Sequence, residues 1–306
     1  MSGARPASIP AGAPRALPDP AHLDAAGRWL LSRAAATVEA VDAALARYEL
    51  GEVTRLLYDS IWNEFCDWGV EFAKVRLADG SVPAEAREAT WWALVSALDT
   101  YLRLLHPVMP FITETLWGAL PHRDGDPELL IVARWPGAGV RDATAEVEVS
   151  QLIELIRGIR NARAEARLEA SDWLPVDVAI PGSLGSAFEG LRPAVERLAR
   201  ARPLTRQLTR EALAAATEGS GGLSVIAGES EAVIRPKEVD AATAELERGR
   251  LEKELADAER LLEAARGRLL NESFVAKAPP AVVEGARARE AELADQVDRL
   301  RERLGR

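Results

Sequence analysis

Two long stretches near the C-terminus repeat apolar residues at alternating four- and three-residue steps, and no other feature constrains the fold as tightly. Leu251, Leu255, Ala258, Leu262, Ala265 and Leu269 form one seam; Val283, Ala286, Glu290, Leu293, Val297, Leu300 and Leu304 form the other. A seam of this period lies along one side of a helix and is buried only against another helix. Pro279 and Pro280 stand between the two stretches and cannot continue a helix. The pair is therefore expected to fold back as an antiparallel coiled-coil hairpin over 239–306, an arm rather than a globule. Glu290 interrupts the second seam and should weaken pairing near the tip.

Upstream the periodicity remains helical. Leu23, Leu30, Leu31, Val38, Val41, Leu45 and Tyr48 fall on one face, with Gly51 as the expected stop. Val53, Leu57, Ile61, Phe65, Trp68, Phe72 and Val75 follow until Asp79-Gly80, and Trp91, Val95, Leu98, Leu102 and Leu105 until His106-Pro107. A fourth run from Pro110 carries Phe111, Ile112, Leu116 and Leu120 as far as Pro121. Four amphipathic helices with short connections predict an antiparallel bundle over 21–145. Residues 1–20, with Pro6, Pro10, Pro14, Pro18 and Pro20, read as a disordered, solvated leader or linker.

Leu129–Val132 reads as a short strand. A fifth helix then carries Leu152, Ile156 and Ile159 on one face and arginines on another. Between Trp173 and Pro236 the texture is mixed: residues 175–180 and 222–227 alternate like strands, and 191–198 reads as a short helix. The fold class expected is mainly α, with the bundle, a small α/β subdomain over 146–238 and the coiled-coil hairpin.

Composition narrows the chemistry. A single cysteine (Cys66) and three histidines in 306 residues cannot build a disulfide framework or a Cys/His zinc site. Gly219-Ser-Gly-Gly222 lacks the Lys-Ser/Thr of a phosphate loop and reads as a flexible turn. Cys66, beside a buried stripe, reads as a packing residue rather than a nucleophile. No apolar run is long enough for a membrane span. With 38 basic against 48 acidic residues the formal net charge is −10, so any contact with nucleic acid must use local basic patches.

Four ordered motifs carry a family likeness. They are Leu57-Tyr-Asp-Ser-Ile-Trp-Asn-Glu-Phe-Cys-Asp-Trp68 followed by Glu71-Phe-Ala-Lys74; His106-Pro-Val-Met-Pro-Phe-Ile-Thr-Glu-Thr-Leu-Trp117; Ile156-Arg-Gly-Ile-Arg-Asn-Ala-Arg-Ala-Glu165; and Leu270-Asn-Glu-Ser-Phe-Val-Ala-Lys-Ala-Pro279. In this order they resemble the C-terminal part of the valyl-tRNA synthetases: a class I anticodon-binding helical domain, a small mixed domain and a tRNA-binding arm, together covering 22–306. The first two motifs are shared more loosely with the isoleucyl and leucyl enzymes; the Asn-x-x-Phe-x-x-Lys-Ala-Pro turn is specific to the valyl one.

The resemblance implies tRNA as partner, a cytoplasmic location away from membranes, and, in the complete enzyme, ATP-dependent ligation of valine with Mg2+. The His-Ile-Gly-His and Lys-Met-Ser-Lys-Ser signatures have no counterpart here: the methionines are Met1 and Met109 and the first lysine is Lys74. The chain is therefore expected to be inactive alone, without its own cofactor and without the catalytic and editing domains, and to be a fragment, a truncated product or a partner of a separately encoded catalytic part. Gly69 stands where the family tends to carry a bulkier residue, which bears on local packing.

The residues themselves supply candidates. Phe65 and Trp68 lie on the buried stripe and read as core, whereas Trp62 and Asn63, beside Glu64 and Asp67, sit off it and suit a polar RNA interface. Arg157, Arg160, Arg163 and Arg167 lie on or near a common side of the fifth helix, where guanidinium forks can clamp phosphates, with Glu154, Glu165 and Glu169 as competing partners, and Asn161 of the same helix is a further RNA-binding candidate. At the arm, which in the family rests on the tRNA body, the resemblance makes Arg266, Arg268, Asn271 and Lys277 the preferred RNA-facing residues, and Phe274 is expected to cap the seam. A solubilised coiled coil is the bland alternative, since 239–306 holds 13 basic and 15 acidic residues. A rival reading is a free-standing interaction protein that docks a protein through the hairpin, and the acidic net charge favours it.

Overall fold

The structure, a computed structural model, describes residues 5–6, 9, 16–218, 221–235, 241–270 and 280–304. The chain divides into two compact units, Met1–Pro236 and Lys237–Arg306.

In the first unit, helix α1 (Ala25–Ala46) starts where the Asp24 carboxylate accepts the Gly27 N–H at 2.8 Å. It stops at Tyr48, not Gly51: Tyr48 adopts the left-handed conformation (φ 58°), and Gly51 already belongs to the next helix. That helix, α2, runs continuously over 50–78. Its middle, Asp59–Gly69, is wound as a π-helix between α-helical Leu50–Tyr58 and Val70–Ala78. The wider winding still buries Phe65 and Trp68, and the α-helical turn after it buries Phe72, as the apolar spacing predicts. It ends at Gly69, where a Cβ would lie 2.9 Å from the buried Leu30 side chain of α1, so the close approach of the two helices explains the glycine.

Helix α3 (Ala84–Leu105) is buried along most of its length. Helix α4 (Pro110–Trp117) is shorter than its pattern suggests, and the expected apolar face is turned outward: Phe111 is 88% exposed, Ile112 and Leu116 are also exposed, and Thr113 and Trp117 are buried instead. Thr113 accounts for this rotation. Its hydroxyl meets His106 Nδ1 at 2.8 Å, fixing the helix to the end of α3. Leu130–Val132 is a 3-10 turn rather than a strand, because the Glu114 carboxylate takes the Leu130 and Ile131 N–H groups at 2.7 and 3.2 Å. Of the proline-rich segment, residues 1–4, 7, 8 and 10–15 lie outside the described residues. Ile9 does not match the solvated segment expected there: it is buried against Trp91, Trp92 and Val95.

Helix α5 (Ala143–Glu165) is capped by Asp142, whose carboxylate accepts the Ala145 N–H at 2.9 Å. Its start is sewn to α1: the Ser32 hydroxyl accepts the Asp142 N–H at 2.8 Å and donates to Glu146, while Arg33 pairs with both Glu146 and Glu64.

The other side of α5 packs on a four-stranded sheet of order β2-β1-β4-β3, formed by β1 (Leu174–Ala179), β2 (Ala201–Gln207), β3 (Leu223–Ala227) and β4 (Ser230–Ile234). Gly158 lets α5 approach this sheet, since a Cβ there would meet Val225 at 2.8 Å. β1 and β2 are parallel and joined by α6 (Gly185–Ala199); β4 is antiparallel to β1 and β3; α7 (Arg210–Thr217) leads toward β3. One apolar core runs through Trp29, Phe65, Trp68, Ile156, Phe188, Val195 and Ile234. The division expected at 145/146 therefore falls inside a helix that bundle and sheet share.

The second unit is an antiparallel pair, α8 (Ala241–Leu270) and α9 (Pro280–Leu304). Leu255, Ala258 and Leu262 bury against Leu293 and Val297, as the heptads require. Glu290 does not leave the seam unpartnered: its carboxylate accepts the Arg266 Nε–H across the hairpin at 2.8 Å.

Candidate nucleic-acid interface

The π-wound stretch of α2 presents one aromatic ring outward. Trp62 is 57% exposed, and Asn63 beside it is exposed while donating to Asp59 at 3.2 Å. Glu64 is held by Arg33 at 2.7 Å, so of the polar residues expected here it serves the helix contact to α1. π-Helical turns recur at functional sites, and in this one Trp62 stands out while Phe65 and Trp68 stay in the core.

The arginines of α5 divide into two kinds. Arg157 is exposed and lies over the Trp68 ring, its guanidinium carbon 5.2 Å from the centroid. Arg160 lies over the same ring at 5.6 Å and donates its Nε–H to the Leu198 carbonyl at 2.7 Å. Burial pulls its pKa below the usual arginine value, against the opposing pull of Glu71 and Asp67. Covered this way, the Trp68 ring orients guanidinium groups and is not itself a stacking face.

Arg163 is buried, with its N–H groups on backbone carbonyls: Ala199 at 3.4 Å, Arg200 at 3.0 Å, Glu169 at 2.9 Å and Asp172 at 2.7 Å. The phosphate clamp expected of Arg163 is replaced by a structural role. It satisfies carbonyls at the end of α6, where a cation also meets the negative end of the helix dipole. Burial lowers its pKa too.

Asn161 is exposed on α5, and Arg167 is exposed just past the helix end in the left-handed conformation, φ 55°. Arg266 and Arg268 are exposed on α8, Arg266 in its pair with Glu290. Asn271, Phe274 and Lys277 lie outside the described residues. The structure brings Arg157 and Arg160 together over Trp68 and separates Arg163 from them by burial.

Cys66 is half-buried against the core, and burial pushes its thiol pKa up, which suits packing rather than nucleophilic attack. Among the described residues no group of three or more His, Cys, Asp or Glu could hold a metal ion, and no helix is long and apolar enough to cross a membrane.

Comparison with known proteins bears on these surfaces. Residues 27–179 match the family model described as the anticodon-binding domain of tRNA ligase, and residues 244–306 match that of the valyl tRNA synthetase tRNA binding arm. The chain belongs to the valyl-tRNA synthetase family. It is 38% identical to the valine--tRNA ligase of Nocardia farcinica over 294 residues, which is 95% of this chain and 31% of the relative. It is 36% identical to that of Dehalococcoides mccartyi (strain CBDB1) over 95% of this chain and 32% of the relative, and to that of Bacillus cereus (strain ATCC 10987 / NRS 248) over 91% and 30%. The chain thus spans about a third of the length of the curated relatives it matches.

Within the synthetase assignment, α1 to α5 and the first strand of the sheet fall in the anticodon-binding region, and the hairpin is the arm. One cluster escaped the sequence reading. Arg202 and Arg200 lie over the Trp173 ring at 4.3 and 5.3 Å. Its signal was present: residues 197–210 hold Arg197, Arg200, Arg202, Arg206 and Arg210 and no acid.

Proposed function

We propose that this chain is the tRNA-recognition part of a valyl-tRNA synthetase, with α2 and α5 meeting the anticodon stem-loop and the arm meeting the tRNA body. The observation that carries the reading is the match of an anticodon-binding model and a valyl-specific arm model, in that order, on one chain. The surface supports it: Trp62 offers an open ring for an unstacked loop base, a contact worth about 1–3 kcal/mol. Arg157 and Arg160 offer guanidinium groups for phosphate, and Asn161 and Arg167 are exposed on and just past the same helix. Arg266, Arg268, Asn271 and Lys277 are proposed as the arm's contacts.

ATP, Mg2+ and valine would be handled by the catalytic part of the synthetase, in the cytoplasm. The outward apolar face of α4 supports a protein neighbour of that kind: Val108, Met109, Phe111, Ile112 and Leu116 are each exposed by 43% or more. The test is equilibrium binding of the purified chain to a tRNA transcript with a valine anticodon and to unrelated RNA hairpins. Salt-sensitive binding that prefers the tRNA, without valylation by the chain alone, is the expected result; equal affinity for both RNAs would refute the proposal.

A further inference from the structure

We infer that the end of the first unit where α6 runs into β2 is a second RNA contact, at which Arg197, Arg200 and Arg202 grip phosphates of the sugar-phosphate backbone. The inference rests on the tRNA-binding reading above and adds a surface to it.

Charge is the first argument. In a chain of net charge −10, residues 197–210 carry five arginines and no acid. Arg197, Arg200 and Arg202 are all exposed. The acid placed against them is Glu196, 3.6 Å from Arg202 and beyond good hydrogen-bond length. A local basic patch on an acidic body is the form that phosphate binding must take here.

Preorganisation is the second. Arg200 occupies the C-cap of α6 in the left-handed conformation, φ 53°, where glycine is the usual residue, so a side chain is kept at a backbone position that disfavours one. That side chain is not needed to satisfy the helix end, because Arg160 and Arg163 already donate to the Leu198, Ala199 and Arg200 carbonyls. The guanidinium instead lies over Trp173, as does that of Arg202. One indole thus gathers two planar forks at the surface, and cation–π contact limits their wandering before any ligand arrives.

Backbone rather than base is the ligand, because the Trp173 ring is engaged by guanidinium groups. β2 is also an edge strand. Arginines on an edge can simply guard it against pairing with another chain, and the experiment separates the two roles.

The measurement is the Kd of the full chain for an unmodified tRNA transcript with a valine anticodon across a series of KCl concentrations. It compares wild type, R197Q/R200Q/R202Q, the matching triple lysine variant and R197Q alone, each checked by thermal melting. The triple glutamine variant should bind roughly tenfold or more weakly at 0.1 M salt, with a log–log salt slope smaller by about 2–3. The triple lysine variant should keep the wild-type slope. R197Q, which alters an exposed side chain on α6, should lower the slope by about 1 and serves as the test if the triple variants fold poorly. Wild-type affinity and slope in the glutamine variants, with or without new aggregation, would overturn this surface and leave the broader reading intact. A wild-type chain that does not bind the tRNA would overturn both.

Discussion

Replacing Arg163 by methionine should destabilise the first unit without removing an RNA contact. The guanidinium makes three hydrogen bonds of 2.7–3.0 Å and one of 3.4 Å to carbonyls, and the residue is 4% exposed. Hydrogen bonds from a charged donor contribute about 1.5–3 kcal/mol each, offset in part by the cost of burying the guanidinium. Methionine fills much of the volume but leaves those carbonyls without a donor, a loss comparable to breaking a buried charged pair, about 3–5 kcal/mol. For a unit of this size each kcal/mol lowers Tm by about 2–4 °C, so a fall of roughly 6–20 °C is expected by calorimetry. Lysine should recover only part of it, since one ammonium cannot span the carbonyls that the planar fork reaches. At a temperature where R163M is folded, its tRNA affinity and salt slope should match wild type. Unchanged Tm with a tenfold loss of affinity would refute the structural role and return Arg163 to the phosphate contacts.

Three other perturbations separate surface from core and arm. Trp62→Ala should change Tm by little, within about 0.5 kcal/mol of stability, and weaken tRNA binding by about 1–3 kcal/mol; Phe65→Ala should instead cost about 3–5 kcal/mol of stability in denaturant melts. Hydrogen bonds from Arg141 first, then Ser32, with the Arg141 and Arg33 charges, hold the Glu146 carboxyl down at about 2. A carboxyl lowered on folding stabilises the protein above its ordinary pKa, and that contribution is lost as pH falls from about 4.5 toward 2. Glu146→Gln should remove about 2 kcal/mol at pH 7, discounted for the exposure of Arg141, and flatten the acid limb of an equilibrium unfolding series. Glu290→Leu completes the seam of α9 and should raise the melting of the arm by about 1 kcal/mol, read by circular dichroism; an unchanged or lower transition would show that the Arg266 pair outweighs apolar burial.

What the sequence discloses here follows the range of the forces involved. The stripes of α1 and α3 and the heptads of the arm are repeated local signals, and Val38, Val41, Val95, Leu255 and Leu293 are buried as their spacing requires. The π-winding of α2 leaves no mark in an apolar pattern that still places Phe65 and Trp68 inside. α4 turns its apolar residues outward because Thr113 and Trp117 have specific partners in His106 and the Pro127 carbonyl, which no periodicity encodes. β2 is not legible because Ala-Arg-Pro-Leu-Thr-Arg-Gln lacks the alternation of a half-buried strand, nor is β4, because Ser-Glu-Ala-Val-Ile ends in three consecutive apolar residues instead of alternating. The role of Arg163 depends on carbonyls 36 and 37 residues away, brought to it only when α6 packs on α5. Trp62 was legible as an off-stripe aromatic; the Trp173 cluster was legible as a run of arginine without acid.

We propose above that this chain recognises tRNA through an anticodon-binding unit. The most direct measurement is competition between a tRNA transcript with a valine anticodon and the same transcript with its anticodon replaced, read as Kd for the purified chain at fixed salt. Each lost base contact is worth about 1–3 kcal/mol, so the replaced anticodon should bind at least fivefold more weakly. Equal affinity for the two transcripts would contradict the account.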